Sequence, residues 1–190
     1  MLALFDLDNT LIDRRAMFAR WASGMLDRLG VNDPGGLEWL TEVDGHGYGD
    51  KRRWMPVAAE RFEVPETVIA ADREAHWVAS IDVDPTVGPA LDRLSDAGWI
   101  LGMVTNGPPT QWDKINAAGL DVYFDAVVVS DLVGTRKPEP RIFELAAEMG
   151  VEHVGRRGDL AGADQVDQAG HRLPLVHGVD DHALQAADQA

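Results

Sequence analysis

The chain has no cysteine, and that removes disulfides, thiol catalysis and zinc-thiolate sites at once. Such a composition fits a reducing compartment, and cytoplasm is the expected location. Basic residues are scarce: 17 Lys and Arg stand against 32 Asp and Glu, a net charge of −15 over 190 residues. A field of that sign repels phosphate backbones and anionic membrane surfaces, so nucleic acid and membrane are not expected partners. Long apolar runs are also missing. The stretch 99–104 is among the longest and is far too short to span a bilayer, while an aspartate already stands at position 6, which fits no signal peptide. No internal repeat or low-complexity tract is visible, and the six histidines form no metal-ligand pair such as H-E-x-x-H.

What is present is concentrated first at the N-terminus. In MLALFDLDNTLIDR a short apolar run, 2–5, leads directly into Asp6 and Asp8, two carboxylates two residues apart, with a hydroxyl at Thr10. An apolar strand ending this way delivers acids to the carboxyl edge of a sheet, where open α/β folds bind ligands. Two anions so close need a cation or a shared proton. Mg²⁺ suits the role, since it takes oxygen ligands and often joins one or two carboxylates to a substrate phosphate.

From 14 to 83 the sequence reads as helical. Asp13 can cap a helix whose apolar positions are Phe18, Ala22, Met25 and Leu29. Asp33-Pro34 reads as N-cap and first position of a second helix. The glycine-broken loop DGHGYGD, 44–50, precedes a third, with Trp54, Val57, Ala58 and Phe62 on one face, and a fourth follows Pro65. From about 84 helices and strands alternate, with strands expected at 99–105, 126–130, 151–155 and 173–176. Strands separated by single helices predict a doubly wound parallel sheet. The expected organisation is therefore a Rossmann-like core, 1–13 and 84–190, with a helical cap, 14–83, inserted after the first strand.

Three more signals fall at the carboxyl ends of these strands. Thr105-Asn106-Gly107 offers a hydroxyl and turn amides to an anion. Lys137 is followed by Pro138 and Pro140, which restrain a point charge suited to phosphate. Gly158-Asp159 and Asp164 add two carboxylates, five residues apart, that can complete a metal site.

In this order the segments FDLDNTLID, MVTNG, GTRKPEP and GDLAGAD resemble the four motifs of the haloacid dehalogenase superfamily of hydrolases, in its cap-bearing phosphatase-like branch. The resemblance covers nearly the whole chain. It implies a Mg²⁺-dependent phosphatase acting on a small phosphorylated metabolite, with Asp6 as nucleophile and Asp8 as general acid and base. It further implies Mg²⁺ held by the Asp6 carboxylate, the Asp8 backbone carbonyl and Asp159, with Asp164 in support, and phosphoryl oxygens held by Thr105, Asn106 and Lys137. Family members that displace halide lack an aspartate equivalent to Asp8, so its presence favours ester hydrolysis. In the cap, Gly47, Tyr48 and Trp54 are positions that can reach a ligand.

The fourth motif departs from the pattern. His153-Val154-Gly155 is followed by Arg156-Arg157 where the family places its aspartate, and the next Gly-Asp comes three residues later. If the strand ends at Gly155, Arg156 takes the metal-ligand position, and a relative that binds a phosphorylated ligand or a protein without turnover is the alternative. If Gly158-Asp159 is the motif, the spacing to Asp164 is kept, and this is the preferred assignment.

Overall fold

The computed structural model describes residues 1–45 and 49–159, with the side chains of 154–159 outside the description. Among the described residues three strands, β1 (Leu2–Phe5), β2 (Ile100–Thr105) and β3 (Ala126–Val129), form one parallel sheet in the order β1-β2-β3. Leu2 lies opposite Ile100 and Phe5 opposite Met103, while Thr105 lies opposite Val129. All three carboxyl ends therefore share one edge.

Side chains alternate across the sheet as a strand requires. Ala3, Phe5, Leu101, Met103 and Val127 join the larger apolar core, whereas Leu4, Val104 and Val128 pack with Ile142 and Ala146 on the other face. Both faces are covered, which is why these strands read as unbroken apolar runs. The second face is covered by α8 (Pro140–Asp159), which packs on all three strands. Gly150 permits this approach, because a Cβ there would stand 2.9 Å from Ile100 Cγ2.

Helix α8 also corrects the reading of 151–155 as a strand. Ile142, Ala146 and Gly150 recur at helical spacing against the sheet, and His153 continues that row beside Asp125, while Val151 on the opposite side is 60% exposed. A strand would have alternated; the 3.6-residue period prevails through the segment. The strand expected at 173–176 lies outside the described residues.

Among the described residues between β1 and α5 (Val87–Asp96) lie four α-helices: α1 (Arg14–Arg28), α2 (Gly36–Val43), α3 (Lys51–Phe62) and α4 (Glu66–His76). Asp13 caps α1 as expected, accepting a hydrogen bond from the Ala16 amide at 2.8 Å. Helix α2 begins two residues later than Asp33-Pro34 suggested, because Asp33 closes a turn on the amides of Gly35 and Gly36 instead. On α3, Trp54, Ala58 and Phe62 are buried, but Val57 points outward.

The tryptophans explain what holds this helical segment together. Phe18 and Trp21 of α1 meet Trp54 of α3 and Trp77 at the end of α4, with ring centroids 5.5–6.3 Å apart and mostly edge to face. Such geometry adds to the area that aromatic side chains bury. The Trp21 indole donates to Asp72 at 3.0 Å, and Arg28 clasps the same carboxylate with two bonds of 2.7 and 2.8 Å, tying α1 to α4. The Arg28 guanidinium thereby holds the Asp72 carboxyl below the ordinary aspartate value.

Two further helices complete the frame of the site: α6 (Gln111–Ala117) follows β2, and the short α7 (Ser130–Val133) follows β3.

Candidate active site

The loop after β1 is built by three buried anchors. Leu7, Leu11 and Ile12 are in the core, and the amides of Leu11 and Ile12 both donate to the Leu7 carbonyl at 3.0 and 3.1 Å. Asn9 takes the left-handed conformation, φ 60°, that this tight loop needs and that asparagine tolerates. With Leu7 buried between them, Asp6 and Asp8 are presented at the sheet edge on a fixed backbone.

Asp6 forms an ion pair with Lys137, Oδ1 to Nζ 2.6 Å, and the same oxygen accepts the Leu7 amide at 2.7 Å. Its side chain is 43% exposed. Lys137 also donates to the Val104 carbonyl at 2.8 Å, which fixes the ammonium between the ends of β1 and β2. Asn106 braces the loop that carries it: the side-chain carbonyl accepts the Lys137 amide at 2.8 Å, and the side-chain nitrogen donates to the Lys137 carbonyl at 3.0 Å. The amide of Gly107, an expected anion donor, is taken by the Ser130 hydroxyl at 3.0 Å.

Asp8 has a different partner. Lys114 of α6 contacts both of its oxygens at 2.6 Å, and Gln111, one turn earlier, donates to Oδ2 at 3.1 Å. The Gln111 side-chain nitrogen also reaches the buried Thr105 hydroxyl at 2.6 Å, so it links Asp8 to the end of β2. Each carboxylate of the Asp-x-Asp pair thus has its own lysine, which answers the repulsion between them. Of the residues expected at this site, Asp6 meets Lys137, Asn106 braces Lys137, and Asp8 is joined to Thr105 through Gln111; Gln111 and Lys114 are not among the expected residues. Their signal was faint, a Gln and a Lys three apart on the buried face of a helix that directly follows the Thr-Asn-Gly turn.

Burial pushes the Lys114 ammonium below the ordinary lysine value; Asp8 opposes that shift, and the guanidinium groups of Arg14 and Arg73 reinforce it. Arg14 pairs with the buried Asp44 at 3.3 Å. Arg73 stacks on Trp77 at 4.1 Å and is pushed down to about 10, by burial first and by Arg14 second. Positive charge therefore gathers behind Asp8.

The residues fit a divalent cation in part. Asp6 offers a half-exposed carboxylate, the hard oxygen type that Mg²⁺ takes. Among the described residues no group of three or more His, Cys, Asp or Glu side chains is arranged to hold a metal ion. Asp159 does not follow a strand end as expected: it is the last residue of α8, and that helix leads away from Asp6, since Gly150 already stands against Leu2 and Ile100 at the amino ends of the strands. The side chains of Asp159, Arg156 and Arg157 are outside the description, and Asp164, Gly47 and Tyr48 lie outside the described residues. Trp54 sits in the aromatic core, 2% exposed.

Comparison with known proteins adds sequence and fold relatives. The chain is 43% identical over 153 residues to a glyceraldehyde 3-phosphate phosphatase of Methanothermobacter thermautotrophicus, covering 75% of this chain and 68% of that one. It is 37% identical over 98 residues to the enzyme of the same name from Methanopyrus kandleri, covering 47% of this chain but only 42% of the relative. A phosphoglycolate phosphatase of Cereibacter sphaeroides is 30% identical over 207 residues, 95% of this chain and 91% of that one. In fold, a haloacid dehalogenase superfamily hydrolase of Geobacter sulfurreducens aligns with a TM-score of 0.56 at 20% identity, over 81% of this chain and 72% of the other. The family profile described as haloacid dehalogenase-like hydrolase matches residues 1–152, a span that holds the Asp6 and Asp8 loop, the β2 edge and Lys137, and the chain belongs to that family.

Proposed function

We propose that the protein is a Mg²⁺-dependent phosphatase that hydrolyses a small phosphorylated metabolite through an aspartyl-phosphate at Asp6. The observation that carries this reading is the pairing of Asp6, 43% exposed, with a fixed Lys137 at the sheet edge, while a second carboxylate, Asp8, is held two residues away by a separate lysine. The names of the relatives, phosphatases of glyceraldehyde 3-phosphate and of phosphoglycolate, support a substrate of two or three carbons.

In this reading Asp8 enters the cycle protonated; an oxygen of Asp6 attacks phosphorus as the ester oxygen leaves, and Asp8 gives that oxygen its proton. Asp8 then takes a proton from water, which attacks the aspartyl-phosphate, releases inorganic phosphate and restores Asp6. Lys137 faces the phosphoryl oxygens, where charge spreads in the transition state. Thr105 closes the floor of the site, and Asn106 keeps Lys137 in place. When bound, Mg²⁺ would supply the neutralisation that lets a carboxylate approach a phosphate dianion; the Asp6 carboxylate and the Asp8 backbone carbonyl would hold it, with Asp164 as a further candidate. Segment 14–83 serves as a cap over the edge and reads the rest of the substrate, in a protein that works in the cytoplasm.

The test is turnover of p-nitrophenyl phosphate and of phosphoglycolate with Mg²⁺, followed by EDTA. Hydrolysis that stops on chelation and returns with added Mg²⁺ is expected. Activity untouched by EDTA would remove the metal from the proposal, and none on any small phosphate ester would favour the non-catalytic relative.

A further inference from the structure

Helix α6 contributes two side chains to the site that no motif of the sequence marked. Lys114 is 5% exposed although it is a lysine, and it spends its ammonium on both Asp8 oxygens at 2.6 Å. Gln111, also 5% exposed, spends one nitrogen on Asp8 at 3.1 Å and on Thr105 at 2.6 Å. Burying these two polar groups is costly unless both are satisfied, and Asp8 is what satisfies them. A carboxylate gripped on both oxygens by one cation and on one of them by an amide has lost its rotational freedom. It can approach a substrate only from the direction this clamp leaves open.

We infer that Gln111 and Lys114 are positioning residues that aim the Asp8 carboxylate at the leaving-group oxygen and tie its placement to Thr105 at the phosphate end of the site. The inference rests on the reading of Asp8 as general acid and base. Its physical basis is that proton transfer demands heavy atoms within hydrogen-bond reach along a defined line, so a loosely held acid forfeits part of its contribution. Lys137 cannot share this task, since its ammonium is committed to Asp6 and the Val104 carbonyl.

The experiment compares wild type with Lys114→Met and Gln111→Met, which keep length and apolar stem while deleting the donors. Turnover is measured on phosphoglycolate, whose leaving alkoxide needs a proton, and on p-nitrophenyl phosphate, whose phenolate hardly does. The expected result for Lys114→Met is a kcat loss of roughly 100-fold with the alkyl ester, and about tenfold or less with the aryl ester. KM should change by less than about threefold, because no substrate contact is removed. Gln111→Met should show the same asymmetry at smaller size, and Lys114→Arg should recover part of the alkyl activity. Equal losses on both esters, or a rise in KM with kcat intact, would overturn the clamp. A wild type inactive on both esters would instead overturn the phosphatase reading. The crystal structure of Lys114→Met then decides the clamp alone: an Asp8 carboxylate that keeps its place without the lysine refutes it, and one that swings away supports it.

Discussion

Replacing Asp6 by asparagine separates chemistry from stability more cleanly than any other change in this site. The substitution keeps the volume, and the asparagine carbonyl oxygen can still accept the Leu7 amide that Asp6 Oδ1 accepts at 2.7 Å. What is lost is the ion pair to Lys137 at 2.6 Å, between side chains 43% and 22% exposed. At that exposure solvent screening limits the pair to about 1 kcal/mol or less. Lys137 is not stranded, because the Val104 carbonyl still accepts from it. For a chain of this size the melting temperature should therefore move by no more than about 4 °C. Activity should collapse, since the amide is no nucleophile, and losses of at least about 10³-fold are usual when one member of a catalytic unit is removed. The assay is p-nitrophenyl phosphate turnover beside thermal unfolding on the same preparation. Retention of more than about a tenth of wild-type activity would end the covalent mechanism. A fall in melting temperature beyond about 8 °C would show that Asp6 is structural, and that the activity loss reports unfolding.

Two predictions concern the helical segment. Phe18→Ala empties the centre of the Trp21, Trp54 and Trp77 cluster, where Phe18 is 1% exposed; it should cost about 3–5 kcal/mol, or roughly 6–20 °C in melting temperature, and a shift below about 3 °C would refute the cluster as the segment's core. Asp72 is held below the ordinary aspartate value first of all by its hydrogen bonds from Arg28, so its contribution is present above the unfolded value of about 4 and fades as pH falls through the lower folded value. The stability gap between wild type and Asp72→Asn should accordingly narrow below about pH 4, and thermal melts that show a constant gap from pH 7 to pH 3 would contradict the pairing.

How far the sequence discloses this molecule depends on which kind of signal each part carries. The strands were legible because a sheet covered on both faces demands near-continuous apolar runs, and 2–5, 100–104 and 126–129 supply them. Asp6, Asp8 and Lys137 were legible because their spacing from strand ends and prolines is local. The stretch 151–155 misled for the converse reason: Val151, His153 and Val154 are as compatible with a strand as with a helix over so short a window, and only the row Ile142, Ala146, Gly150, read across the expected break, reveals that the helix continues. Lys114 was hidden more deeply. Its partner lies 106 residues away, and a lysine is ordinarily solvated. Nothing in its neighbours Asp113 and Ile115 says that this one turns inward. It becomes visible only by asking what faces Asp8 once Lys137 is committed to Asp6: the sequence motif names one lysine at this edge, and the fold supplies a second. Buried charge must be balanced by a partner in the fold even where no local pattern records it, so an acidic pair at a strand end is itself a reason to search the following helices for an inward-facing lysine.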